Sequence, residues 1–467
     1  MTEASPERTN MALIAAIVAV ATIGGLLFGY DSGAVNGTQT GLTETFALSS
    51  ASLGFTVGSL LIGCAVGAFF AGRLADAIGR RNVMLIAAAL FVAGALVQGL
   101  TQLHWLFVIA RFSGGMAVGA ASVLSPLYIS EVAPANIRGR LTTVQQVMII
   151  TGLTAAFVVN YFLAQSAGDS LGDLAGVPAW RWMYLAQAVP AVVFLVALLF
   201  IPESPRYLVS RRRDEEARKI LTALFGAAEA DRKIGEIRST FSETHRPSFR
   251  DVTAPGTLFR PIVWAGIMLA TFQQFVGINV IFYYGETLWR LAGVSEEVAL
   301  ERNIISGLVS IAAVFAALLV IDKIGRKPLL MIGSIGMAVT LGAMSWAFSG
   351  AAQDAAGNLM LDETAGWIAL VAANLYVIFF NFSWGPVMWV MLGEMFPNQM
   401  RGSALAVAGL AQWGANYLVV QSFPAMADGL GLATTYALYT ASAVVSFFLV
   451  RSFIRETKGK ELEEMEG

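Results

Sequence analysis

Two charges of opposite sign interrupt stretches that are otherwise apolar. Residues 10–30 hold no ionisable side chain except Tyr30, and Asp31 follows; residues 82–110 hold only His104, and Arg111 follows, with uncharged residues up to Ser130. A charge at membrane depth costs at least about 2.5 kcal/mol, so it usually faces a cavity and has a partner. One acid and one base at matching depth make a titratable pair, which is the chemistry of a proton-linked machine. A second set of candidates is polar but uncharged. Gln145-Gln146, Gln273-Gln274 with Asn279, and Gln412 with Asn416 place amides inside apolar runs, where Trp389 and Trp413 also lie. An amide in lipid either bridges to a neighbouring helix or meets a hydrogen-bonding ligand, and the residue types leave both readings open. Gln274 and Asn279 stand about 140° apart on a straight helix, and Gly277 between them permits a break that could re-aim them.

The elements that must position these groups are membrane spans. The chain has 467 residues, 56% hydrophobic and 13% charged, against roughly 25% charged in a soluble domain. Apolar runs of spanning length recur at 12–35, 52–72, 83–101, 105–127, 141–164, 181–201, 261–288, 303–321, 328–349, 366–392, 403–425 and 432–452. By this layout 26 of the 30 Lys and Arg fall on one side. The positive-inside rule then puts both termini in the cytoplasm. Arg111 lies about six residues below the outer start of span four, roughly 9 Å along a helix. If span one continues to residue 37, Asp31 reaches the same depth. Between spans six and seven a polar stretch, 202–260, carries a mixed-charge segment with helical spacing, RRRDEEARKILTALF, and divides the chain into halves 1–201 and 261–467.

The halves repeat each other. Asp76-Ala-Ile-Gly79-Arg80-Arg81 after span two matches Asp322-Lys-Ile-Gly325-Arg326-Lys327 after span eight. Glu131 with Arg138-Gly139 after span four matches Glu394 with Arg401-Gly402 after span ten. Paired motifs in register in both halves indicate two related half-bundles, the architecture of alternating-access transporters.

These motifs resemble the major facilitator superfamily. Pro202-Glu203-Ser204-Pro205-Arg206-Tyr207-Leu208 and Glu456-Thr457-Lys458-Gly459 resemble signatures of its sugar porter branch. The resemblance implies an all-α polytopic fold with twelve transmembrane helices in two pseudo-symmetric six-helix bundles and a cytoplasmic helical connector. It also implies a monosaccharide as substrate. Gln273-Gln274-Phe-Val-Gly277-Ile-Asn279 resembles the branch's QQ-x-x-G-x-N signature, whose amides bind sugar hydroxyls. By the same resemblance Gln146, Trp389, Gln412, Trp413 and Asn416 face the sugar, Phe379 and Phe380 flank it, and Tyr283 and Tyr284 form an outer gate. Asp31 in Phe28-Gly29-Tyr30-Asp31 stands where proton-coupled members have Asp and many uniporters have Asn, and Arg111 matches the family's arginine in span four. Asp76, Arg80, Arg81, Glu131, Arg138, Glu203, Arg206, Asp322, Arg326, Glu394 and Arg401 become a cytoplasmic latch. Two positions depart from the pattern: Ser310 replaces an Asn found in several members, and Arg455 replaces a Pro in the tail motif.

The expected function is proton-coupled symport of a hexose or pentose in a bacterial inner membrane, by a monomer. A facilitative uniporter, a proton-coupled polyol or inositol carrier, and a membrane sensor of the same fold are the alternatives. No enzyme activity, metal, cofactor or nucleic-acid partner is expected. His104 and His245 are far apart, Cys64 is the single cysteine, and no nucleophile–base set or phosphate loop lies at membrane depth.

Overall fold

The computed structural model describes residues 9–134, 137–243, 252–254, 256–353, 359–397 and 400–458. Lipid offers no partner to a backbone N–H or C=O, so a spanning chain must pair its own groups, and helices do this within one segment. Among the described residues eleven helical stretches are long and apolar enough to cross a membrane. The last of them, Arg401–Phe453, is two spans, because Gly431 turns it at φ 78° and ψ 162°. Spans one to twelve are therefore Met11–Gly37, Ser50–Ile78, Arg80–Leu100, His104–Val132, Val144–Ala167, Ala179–Leu198, Pro261–Leu291, Glu296–Ile321, Arg326–Ser349, Glu363–Met395, 401–430 and 432–453. Span two runs six residues past its apolar run, to Gly79, and span eight's helix likewise runs to Gly325. These glycines adopt φ 100° and φ 103°, a conformation that other residues avoid. That requirement explains the glycine in both copies of the D-x-x-G-R motif.

Spans within a half pack backbone on backbone. Gly25, Gly29, Gly33 and Gly37 repeat every fourth residue along span one and face span five. A Cβ on Gly29 would clash with the Ile149 carbonyl oxygen. Spans two and four interlock the same way, with Gly115 against the Leu60 carbonyl and Gly67 against that of Met116. Small residues allow this approach where no hydrophobic effect drives helices together.

Three spans are broken where polar chemistry is needed. Span six divides into helices Ala179–Leu185 and Ala188–Leu198, span seven into Pro261–Phe275 and Ile278–Leu291, and span ten into Glu363–Phe382 and Trp384–Met395. At the break in span seven Gly277 takes φ 82°, and Tyr376 Oη donates to the Val276 carbonyl at 2.7 Å.

The polar ends of the two halves are built alike. Arg80 holds both oxygens of Glu131, at 3.1 and 3.2 Å, and donates to the Ala75 carbonyl. Arg326 holds both oxygens of Glu394, at 3.0 and 2.9 Å, and donates to the Ile321 carbonyl. Glu203 accepts from the backbone N–H groups of Arg80, Arg81 and Ser204, capping span three. Glu456 accepts from those of Arg326, Lys327, Thr457 and Lys458, capping span nine. Anionic caps at helix N-termini are favourable. The two tail-like motifs, Pro202–Leu208 and Glu456–Lys458, are thus the same device in each half. Helices Pro205–Ser210, Asp214–Phe225 and Ala227–Glu243 follow span six and lie beneath the first half, where Asn10 N–H donates to the Leu224 carbonyl and Arg211 to that of Asp76.

Gly29→Ala should destabilise the protein by about 1–3 kcal/mol through overpacking, read as a lower melting temperature in detergent. Partial burial opposes ionisation of Glu456, but its four backbone donors outweigh it and hold the carboxyl below the usual carboxylate range. The wild type should therefore be more stable than Glu456→Gln above the unfolded glutamate value of about 4.3. That difference should fade as pH falls through the lower native value; thermal melts across acid pH check it.

Candidate functional site

Asp31 and Arg111 meet inside the first half. Arg111 Nη2 stands 3.7 Å from Asp31 Oδ2, and both side chains are buried. The separation is an ion pair but too long for a hydrogen bond. Arg111 is otherwise anchored by Gln98 Oε1 at 3.3 Å and the Val57 carbonyl at 3.4 Å. Gln187, at the break in span six, sets its side chain against Asp31. The pair therefore draws on spans one, two, three, four and six. Removing one member would leave a buried charge uncompensated.

The amides form a chain in the second half. Gln273 Nε2 donates to the Trp384 carbonyl at 3.0 Å, just past the break in span ten. Gln274 Nε2 donates to Gln273 Oε1 at 3.0 Å. Asn279 Nδ2 donates to Gln274 Oε1 at 2.7 Å and to Asn416 Oδ1 at 2.8 Å. The turn at Gly277 brings Gln274 and Asn279 into contact, and a Cβ there would press within 2.7 Å of the Tyr439 ring. Gln412 Oε1 is buried and has no hydrogen-bond partner among the described residues. Spans seven, ten and eleven thus gather an array of donors and acceptors suited to a ligand rich in hydroxyls.

The other expected contacts divide. Trp413 packs on Phe28 of the first half, with ring centroids 5.9 Å apart. Trp389 is 41% exposed, and Gln146 is half-buried. Phe380 is buried close to Gly385, and the Phe379 ring lies over Gly336 of span nine. Trp384 is a packing residue, donating to the Leu330 carbonyl at 3.0 Å. Ser310 is buried and accepts from Asn381 Nδ2 at 3.3 Å, so span ten supplies an amide beside the shorter side chain.

Hydrogen bonds join the halves on the side opposite the basic ends. Ser32 Oγ donates to Tyr283 Oη at 3.3 Å, one residue from Asp31. Asn36 Nδ2 donates to the Phe282 carbonyl at 2.9 Å, and Asn36 Oδ1 accepts from Glu286 N–H and from Asn303 Nδ2. Gln39 donates to the Tyr283 carbonyl. Tyr284 Oη donates to the Val420 carbonyl at 2.9 Å, within the second half. The seam on the side away from the basic ends is closed in this structure.

On the basic side the described ion pairs stay within each half: Arg80–Glu131 and Arg80–Asp76 in the first, Arg326–Glu394 in the second. Arg81 donates to the Leu198 and Leu199 carbonyls, and Arg401 to that of Phe396. Arg206 is exposed. The side chains of Arg138 and Asp322, like Gly459, lie outside the described residues.

Sequence reasoning missed Gln187, Asn36, Asn303, Asn381 and Glu286. Each is a polar residue inside or at the end of a span, the same signal that selected the glutamines.

The comparisons with known proteins agree with this geometry. Residues 17–467 match the family model described as "Sugar (and other) transporter". A glucose transport protein of Synechocystis sp. is 45% identical over 463 residues, 99% of this chain and 98% of that protein. The D-xylose-proton symporter of Escherichia coli is 37% identical over 491 residues, covering 98% and 96%. The inward open conformation of the xylose transporter XylE from E. coli superposes with a TM-score of 0.81 at 38% identity, covering 97% of this chain and 99% of that one. XylE bound to 6-bromo-6-deoxy-D-glucose gives a TM-score of 0.76 at 37% identity, covering 98% and 99%. With its twelve spans in two related bundles, this chain belongs to the sugar transporter family of the major facilitator superfamily.

Proposed function

We propose that this protein is a proton-coupled symporter of a glucose- or xylose-like monosaccharide, working by alternating access as a monomer. The moving bodies are the half-bundles 1–201 and 261–467, linked by 202–260. The basic side faces the cytoplasm of a bacterium, and the outer seam faces away from it. The observation that carries the reading is the Asp31–Arg111 pair, buried one residue from the Ser32–Tyr283 contact that joins the halves.

The cycle follows from what each state satisfies. With Asp31 ionised, the pair holds spans one and four together. A proton on Asp31 removes one charge and loosens the pair, so the outer end of span one is free to settle on Tyr283. Sugar hydroxyls exchange hydrogen bonds with the chain Gln273–Gln274–Asn279–Asn416 and with Gln412, while Gln146 and Trp389 complete the contacts. Each ligand moves the equilibrium only by binding one state better than the other. Opening on the basic side releases sugar and proton, and the Asp76, Arg138, Asp322 and Arg401 group closes that side on the return.

Purified protein in liposomes should accumulate labelled D-glucose or D-xylose under an inward proton gradient, and an uncoupler should collapse the accumulation. Asp31→Asn should equilibrate sugar without accumulating it; accumulation by this variant would remove the coupling role. Equilibration alone by the wild type would make the protein a uniporter. Gln274→Ala or Asn279→Ala should raise KM about tenfold, the loss of roughly one hydrogen bond, while coupling persists at saturating sugar. An unchanged KM would take the amide chain out of the binding site.

A further inference from the structure

The outer seam closes over a carboxylate that the transport cycle above leaves unused. Glu286 lies at the outer end of span seven and is 2% exposed. Across the seam the end of span one and the helix Gln39–Phe46 that follows it present uncharged groups to this region. Asn36 Oδ1 accepts from the Glu286 N–H at 3.1 Å, Gln39 accepts from Thr287, and Thr40 accepts from Arg290 at 2.8 Å. Span eight adds Asn303, which donates to Asn36, and Glu296, which stands 3.9 Å from Arg290. The charged groups that face Glu286 are therefore Arg290 and Glu296, of opposite sign.

The carboxylate itself is poorly held. Thr287 Oγ1 reaches one oxygen at 3.4 Å, and Arg290 Nη1 reaches the other at 3.4 Å. Glu131 has a side chain as deeply buried, yet Arg80 binds both its oxygens, at 3.1 and 3.2 Å, and Ser204 donates as well. Glu394 has Arg326 at 2.9 and 3.0 Å and Thr457 at 2.6 Å. Glu286 gets two long contacts, and Arg290 divides its donors with Thr40. When span one withdraws from span seven, Glu286 and Arg290 face water, and when it returns they lose it. A neutral acid loses far less than an anion on that transfer unless the anion is well hydrogen-bonded.

We propose that Glu286 is a second proton-binding site of this carrier, which takes up one proton from the outer side as the outer seam closes and returns it when the seam reopens. Closure is then favoured at low outer pH, by at most about tenfold per pH unit for a single linked proton. The inference rests on the alternating-access reading for its two states, and on neither the sugar nor the role of Asp31.

Seam opening can be read without substrate. Leu300 of span eight is buried against Ala164 and Met183 of the first half, and Cys64, the single cysteine, is buried. In Leu300→Cys, the rate of thiol labelling from outside reports opening. The rate is normalised to a cysteine at the exposed Leu103, which removes the pH dependence of the thiol itself. An Asp31→Asn background removes the carboxylate assigned to proton coupling above. There the normalised rate should rise several-fold from about pH 6 to about pH 8, and adding Glu286→Gln should flatten it at the slow, closed level. A flat profile before Glu286→Gln, or an unchanged slope after it, would overturn the proposal. Arg290→Gln gives an arm that does not depend on the Glu286 variant folding: losing the cation should move opening to lower pH, and an unmoved profile would also overturn it. A wild type that fails to accumulate sugar would defeat the symporter reading while leaving the labelling result standing.

Discussion

Lipid supplies no hydrogen bonds, so every polar group this chain carries into the membrane needs a partner from the protein or from a ligand. Much of the structure follows from that constraint. Spans one and five, and two and four, approach through glycine until backbone touches backbone. Spans six, seven and ten break, and at the break in span seven Tyr376 takes the Val276 carbonyl. The Asp31–Arg111 pair is the most demanding case. Five spans share in holding it, which ties the charge state of one side chain to the packing of a whole half.

The same constraint separates the two faces of the molecule. On the basic side each half closes its own ion pairs and caps its own helices. Arg80, Glu131, Ser204 and Glu203 form one set, and Arg326, Glu394, Thr457 and Glu456 the other. Among the described residues these charges are paired within each half at that end. On the outer side the partners lie in the opposite half, with Asn36 inserted between the span-seven backbone and Asn303. A body satisfied within itself at one end and satisfied by its neighbour at the other has what a rocking movement requires: one seam can open without leaving orphaned charges behind.

Much of the site was legible in the sequence because membrane depth makes polar residues conspicuous. Asp31, Arg111, Gln273, Gln274, Asn279, Gln412 and Asn416 stood out against apolar surroundings, and the structure brings the pair together and links the four amides Gln273, Gln274, Asn279 and Asn416. Phe379 was harder. The sequence does not show which neighbour an aromatic in a span meets, and the structure lays this ring over Gly336. Ser310 departs from the family pattern, and the amide beside it, Asn381, comes from another span. The latch residues were visible as a repeated motif, but their pairing depends on which seam is shut.

The sequence by itself determined the number of spans, the division into related halves and the residues costly enough in lipid to demand a role, because these follow from local composition, period and charge. Tertiary structure alone decided which amide meets which, that Glu203 and Glu456 are the same cap, and that Glu286 lies on the seam with only two long contacts. Those facts depend on how far apart helices distant in the chain are allowed to sit. That distance is set by glycine contacts and helix breaks acting together, which no single segment encodes.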